Sequence, residues 1–593
     1  MRLASMKNTQ PMCGHIFRLK LVLLMGFSAL ISGCDSTPTP PPADLIFTGG
    51  SIITMDDQQP LVEAIAISNG KIIRVGSNPE VLSHQTESTE LIQLNQQALL
   101  PGFFDAHSHL SGVGMQSIVA NLLPVPDGPV NSIAELQQAM RDYIAHAPTV
   151  QAYGVAMGFN YDDSQLQEQR HPNRHELDAI STEIPIVVMH QSGHLGVYNS
   201  KAMKMLGINA DSPDPDGGII EREAVGRTPS GVMQENAHFK MIYQLVPKFS
   251  PEDYVAMLKA GEATYMANGF TTVQEGKADI SALKALPALA EQGVFAIDVV
   301  AYADIAALND LALLDGPLMS RDYQNGFRIG GIKLTFDGSP QGKTAWFTEP
   351  YVVPPPGQTD DYAGYPAMTD KQALNWYQLA YQKDWQIMTH TNGDAAIDQL
   401  IRTIKSANAV AKQQGIANED RRTVMIHGQF LREDQVADIE TLGVFPALYP
   451  MHTFYWGDWH RSSVAGPERA ENISPTGWLA DKSIPFSIPL DAPVTCPTAM
   501  RILDSAVNRK TRSGFILGER QRIDTYTALK AMTIWPAYQH FEEQQKGSLT
   551  VGKVADLVIL DKNPLKTPVA ELKNIQVMKT IKAGETVFES NSH

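Results

Sequence analysis

Eight short apolar runs, most followed by a helical stretch, divide the middle of this 593-residue chain and constrain its fold more than anything else in it. They are Leu99 to Asp105, Thr271 to Gln274, Asp298 to Tyr302, Gly331 to Phe336, Gln386 to Thr389, Thr423 to Ile426, Val444 to Leu448, and Pro485 to Ile488. Lys371 to Lys383 and Ala395 to Gln414 typify the helical stretches between them. Eight β-runs alternating with helices predict an α/β chain, a (β/α)8 TIM barrel, over residues 98–546. Too much chain separates the first two strands for one connecting loop. An inserted subdomain is therefore expected after the first barrel strand, at about 111–250.

Both ends are β-rich in another style. Leu45 to Phe47, Ser51 to Ile53, Ala64 to Ile67 and Lys71 to Val75 are short strand signals, the last two joined by Asn69-Gly70. Asn-Gly between β-rich runs is a hairpin signal, because both residues accept the left-handed backbone of a tight turn. Ala555 to Leu560 and Thr580 to Phe588 repeat the pattern, so residues 44–97 and 547–593 are expected to form one composite β-sandwich.

The first residues have the form of a targeting segment. Arg18 and Lys20 precede the apolar run Leu21 to Ile31, which is short for a membrane span. The run ends in Leu30-Ile31-Ser32-Gly33-Cys34, which resembles the lipobox of bacterial lipoproteins. That resemblance implies a signal peptide over 1–33, lipid on Cys34 as the membrane anchor, and a Pro/Thr-rich tether over 34–43. Asp35 resembles an inner-membrane retention signal, which places the protein in the cell envelope on the periplasmic side. Cys496 would then have no cysteine to pair with. The net charge of −17 sets the surface against phosphate backbones and argues against nucleic acid as a partner. The β-rich ends leave room for a homodimer.

Polar residues stand at the ends of the predicted strands, where TIM barrels place their chemistry. Phe104-Asp105-Ala106-His107-Ser108-His109 puts two histidines at i and i+2, pointing the same way. Both can reach one metal ion through neutral imidazole nitrogens. Lys333 lies inside an apolar strand, which is costly unless it is paired or neutralised. It is either satisfied by a carboxylate or carbamylated into an anionic ligand that bridges two metals. His390 and His427 end the fifth and sixth strands at the same relative position. Asp491, after the eighth, can hold metal and accept a proton from water. In the insert, Gly193-His194 and Glu235 are open to structural or functional roles. Tyr449 to His460 reads as a loop dense in aromatic and histidine side chains, with His452 the better of its histidines for a substrate wall.

The motifs Leu100 to His109, Gly331-Ile332-Lys333-Leu334 with Asp337-Gly338-Ser339, His390 with Gly393-Asp394, and Asp491 to Val494 resemble the amidohydrolase superfamily. So do Gly552-Lys553-Val554-Ala555-Asp556-Leu557 and Asp561 to Leu565 in the tail. The nearest group is the one containing N-substituted formamide deformylases and exoenzyme regulators. Carried over, the resemblance implies that His107 and His109 hold a buried metal and carbamylated Lys333 bridges to a second. His390 and His427 hold that second ion, and Asp491 binds the first and shuttles the proton. One or two divalent ions, zinc first, would activate water against a small-molecule amide, formamide or cyclic amide. His194 and His452 would contact the substrate, with His194 assisting catalysis at the oxyanion. Two positions depart from many relatives, Ile426 where Glu is common and Leu490 where Ser is common. Neither removes a ligand, though both alter its surroundings. The alternative is a non-catalytic regulatory or ligand-binding lipoprotein on the same scaffold.

Overall fold

A computed structural model of the chain describes residues 40–308, 310–355, 357–416 and 420–590. Cys34 and the expected signal peptide lie outside the described residues, as does the tether up to residue 39. No helix among the described residues is long and apolar enough to cross a membrane.

The fold is of the TIM-barrel type. Seven parallel strands form its sheet in chain order: β1 (Phe103–Phe104), β2 (Phe270–Ala278), β3 (Asp298–Asp304), β4 (Phe327–Thr335), β5 (Gln386–Thr391), β6 (Val424–His427) and β7 (Phe445–Leu448). The eighth run pairs only at a parallel bridge between Ser487 and Ala447. Pro485 and Pro489 flank that bridge, and a proline has no N–H to extend a ladder. The segment after this run is nonetheless tied back to the segment after β1, where Asp491 N–H donates to His107 O at 2.9 Å and His109 N–H to Ala492 O at 2.8 Å.

The first expected strand splits at Gly102. Ala98–Pro101 pairs antiparallel with Leu557–Leu560, while Phe103–Phe104 pairs with β2. A Cβ at residue 102 would stand 2.4 Å from Thr271 Cγ2, so only glycine lets the chain pass so close to β2. The strands from the two ends, expected as a composite β-sandwich, join through Ala98–Pro101 into one eight-stranded sheet. Its hairpin turns at Asn69 (φ 49°) and Gly70 (φ 71°), both left-handed as a tight turn requires. Residues between β1 and β2 carry a six-stranded mixed sheet, running Gly218–Arg222, Pro229–Glu235, Leu195–Tyr198, Ile186–His190, Ala156–Tyr161, Ala120–Asn121.

Helix α1 (Asp394–Gln414) shows how the outer layer forms. Ile397, Leu400, Ile401, Ile404, Ala407 and Ala411 recur at helical spacing and are all buried against the barrel. Each fully buried Leu or Ile contributes about 1.5–3 kcal/mol. The helix stops at Gly415, whose φ of 70° is the left-handed cap that glycine supplies. At the floor of the barrel, Arg328, Glu542, Lys546, Asp298, Lys582 and Asp556 form a chain of ion pairs of alternating sign. It ties β3 and β4 to the C-terminal segment.

Residues 449–460, expected to be a loop, form a helix instead, α2 (Met451–Trp459), which runs on as a π-helical turn over His460–Val464. Its apolar side chains are spread around the helix rather than along one face, so no amphipathic period marked it in the sequence.

Candidate metal centre

The strand ends bring the expected ligands together. His107 follows β1 and donates its Nδ1–H to Gln274 Oε1 on β2 at 2.8 Å. Gln274 is itself held by donating to Ala106 O at 2.9 Å. That contact fixes the tautomer and turns the lone pair on His107 Nε2 toward the interior. Asp491 Oδ1 lies 3.7 Å from His107 Nε2 and 3.5 Å from His109 Nε2, and its Oδ2 lies 3.8 Å from His427 Nε2. One ligand atom from each of His107, His109 and Asp491 falls within 4.8 Å of the others. Lys333, on β4, is buried with its Nζ 3.1 Å from His107 Nε2. His390 ends β5 with its ring centroid 4.6 Å from that of His427 and 5.0 Å from that of His194.

The electrostatics suit a cation's ligands. Burial drives His107, His390 and His427 well below the ordinary imidazole range, and the neighbouring cations and histidines add to it. The three rings are therefore neutral, the form that ligates. Burial likewise pushes Lys333 down to about 7, against the opposing pull of Asp491. The buried Nδ1 of His427 has no hydrogen-bond partner in the protein. With the ring hydrogen on Nδ1, the Nε2 lone pair of His427, 3.8 Å from Asp491 Oδ2 and beside two neutral imidazoles, fits a divalent ion. Three residues here adopt the left-handed backbone: His427 (φ 74°), Asp491 (φ 49°) and Glu235 (φ 49°). Such strain costs about 1–3 kcal/mol per residue and clusters where function over-determines the geometry.

The insert supplies His194. The hairpin of Ile186–His190 and Leu195–Tyr198 turns at Gly193 (φ 72°) and presents His194 beside His390. Glu235 ends the neighbouring strand, and its Oε2 accepts from His194 Nδ1 at 2.7 Å while its Oε1 accepts from Thr344 Oγ1 at 2.6 Å. Glu235 thus fixes the His194 tautomer and leaves Nε2 as the other ring nitrogen. His109 and His194 face a cleft of about 1150 Å³ with apolar walls from Met115, Phe159, Met189 and Phe239.

The structure does not put His452 on a substrate wall. It is buried in α2, stacked on His460 at 5.3 Å between centroids, with 3.0 Å between Nδ1 and His460 Nε2, and it does not line the cleft. Conversely, sequence reasoning did not single out Gln274 and Glu275. Glu275 accepts from Ser111 N–H at 2.8 Å and steadies the helix that starts after His109. The signal was available: β2 ends in the polar run Gln274-Glu275-Gly276-Lys277, as the other ligand-bearing strands end in polar residues.

Neutral imidazoles, a buried lysine and a carboxylate on the carboxyl-end rim of a parallel barrel define a class of barrel built to hold a divalent cation. More particularly, the chain belongs to the amidohydrolase family, whose family model matches residues 90–588. It is 25% identical to N-substituted formamide deformylase of Arthrobacter pascens, over 92% of this chain and 98% of that one. It is 28% identical to the protein LONG AFTER FAR-RED 3 of Arabidopsis thaliana, over 88% of this chain and 89% of that one. A solved structure described as an uncharacterized metal-dependent hydrolase from Pyrococcus horikoshii OT3 has the same fold. Its TM-score is 0.68 at 24% identity, covering 89% of this chain and 99% of that one.

Proposed function

We propose that the protein is a divalent-metal-dependent hydrolase that cleaves a C–N bond of an amide, formamide or cyclic amide in a small molecule. The observation that carries this is the convergence of His107, His109 and Asp491 within 4.8 Å, with the His107 ring kept neutral by burial. The name of the formamide deformylase it resembles supports the choice of bond. Zinc is the ion proposed, held by His107, His109 and Asp491. A second ion, where one binds, would be held by His390 and His427, with carbamylated Lys333 as the ligand shared between the two. Low basicity favours the bridge, since the free amine is the form that reacts with carbon dioxide. The protein is further proposed to be lipid-anchored through Cys34 at the periplasmic face of the inner membrane, with a dimer as its candidate assembly.

A divalent ion in this site supplies Lewis-acid polarisation of the carbonyl and makes water acidic enough to be deprotonated near neutral pH. Asp491 takes that proton and returns it to the leaving amine. His194, whose Nδ1–H is held by Glu235, stabilises the negative charge growing on the carbonyl oxygen when its Nε2 is also protonated and can donate. The apolar cleft seats the substrate's body and keeps bulk water from the site.

Metal content tests the proposal. Elemental analysis of the purified protein should find one or two zinc ions per chain, falling in His107→Ala and, if two, in Lys333→Ala. A protein that takes up no zinc or manganese, even when grown with bicarbonate, would not be this hydrolase.

A further inference from the structure

The cleft contains a cation that the reaction above does not use. Lys277 stands near the end of β2, just beyond Gly276, where a Cβ would lie 2.6 Å from His107. Its Nζ sits 3.5 Å from the centroid of the Phe239 ring. Among the described residues it forms no ion pair and no side-chain hydrogen bond. The same Phe239 ring stands edge-on to His194, 5.5 Å between centroids. One aromatic ring therefore separates the ammonium from the histidine proposed to meet the carbonyl oxygen.

Two carboxylates line the same cleft, and each is already engaged. Glu275 accepts from Ser111 N–H at 2.8 Å, and Asp279 caps the following helix by accepting from Ala282 N–H at 2.8 Å. The cleft's other lysine, Lys248, is exposed at the rim. Lys277 alone is half-buried against apolar walls, and a cation kept there without a carboxylate is costly unless a ligand brings one. An aromatic ring holds it in place without neutralising it.

We propose that Lys277 binds an anionic group of the substrate. The substrate class is then an amide with an apolar body and a carboxylate a few atoms from the scissile bond. The apolar part lies against Met115, Phe159 and Met189, and the carboxylate meets Lys277 beside Phe239. This deepens the hydrolase reading and rests on it for the position of the scissile bond.

The test has two arms. In the first, zinc-loaded protein is given N-acylglycines of rising chain length and the matching uncharged N-acylglycinamides. The acids should be favoured in kcat/KM by about tenfold, the worth of one charged hydrogen bond. Lys277→Met should remove the preference, mainly through KM, and Lys277→Arg should restore part of it. In the second arm, calorimetry follows N-alkylsulfonylglycines, whose sulfonamide resists hydrolysis, against their uncharged amides. Binding of the acid that depends on Lys277 supports the anion site even if no amide is cleaved, in which case only the hydrolase reading fails. A wild type that treats acid and amide alike, or a Lys277→Met variant that keeps the preference, overturns the proposal.

Discussion

Glu235 holds two side chains at once and adopts a backbone (φ 49°, ψ −125°) that non-glycine residues avoid. A buried carboxylate kept at that expense orients His194 rather than merely filling space. Glu235→Gln keeps the size but exchanges an ionic acceptor for a neutral amide. It is expected to lower kcat by about 10–100-fold, the usual effect of removing a partner that orients an active-site group. Steady-state kinetics on any cleaved amide checks this, and a change confined to KM would assign Glu235 to binding instead. At the same scale, His427→Ala removes the ring whose Nδ1 has no protein partner. It should reduce bound zinc, and because the ring also packs against His107, His390 and Tyr449 it should lower the melting temperature of the metal-free protein as well.

Among the elements, β2 decides the placement of His107. Gly276→Ala adds a Cβ that would lie 2.6 Å from both Cε1 and Nδ1 of His107 and 2.7 Å from Gln274 Oε1. The ring must move, so zinc affinity should fall by about 10–100-fold with the circular dichroism spectrum retained. Unaltered affinity in a competition titration would mean that β2 yields instead. The elements also show what the sequence could reveal. The candidate ligands at strand ends were legible because an apolar run followed by His or Asp is a local pattern, as at His107, His390, His427 and Asp491, while Lys333 stood out as a charge within an apolar strand. The Glu235–His194 and Gln274–His107 contacts were not legible, because each joins segments that only the folded sheets bring together. Helix α2 escaped notice for another reason: Thr453, Phe454, Tyr455, Trp456 and Gly457 are weak helix formers, and apolar side chains spread around the helix leave no periodicity.

For the whole molecule, the ion-pair chain at the barrel floor should govern acid stability. Burial alone would raise Asp298, but Lys546 and Lys582 hold it down to about 2 from an ordinary 3.8. Burial would also raise Glu542, but Lys546 and Arg328 hold it at about 2 from 4.5. Both folded values lie below the unfolded ones. Their contribution is therefore complete above about pH 4.5 and is lost as pH falls toward 2. Denaturant melts across that range should show stability declining with pH. Asp298→Asn should flatten the decline and cost about 3–5 kcal/mol at neutral pH, because Lys546 and Lys582 then share a buried site with too little negative charge. An acid limb that is the same in wild type and variant would place the sensitivity elsewhere.

The tie between the end of the first strand and the segment after the eighth run has a consequence for how the protein matures. His107 comes from the first strand and Asp491 from just after the eighth run, and they meet only where Asp491 N–H reaches His107 O. A nascent chain carries the histidine pair long before its carboxylate is synthesised. With the ligand set proposed above, an ion finds its whole site only after the last segment docks, unlike in small zinc modules whose ligands are neighbours in sequence. On that ligand set, the rate of metal capture during refolding would serve as a clock for the final step of assembly.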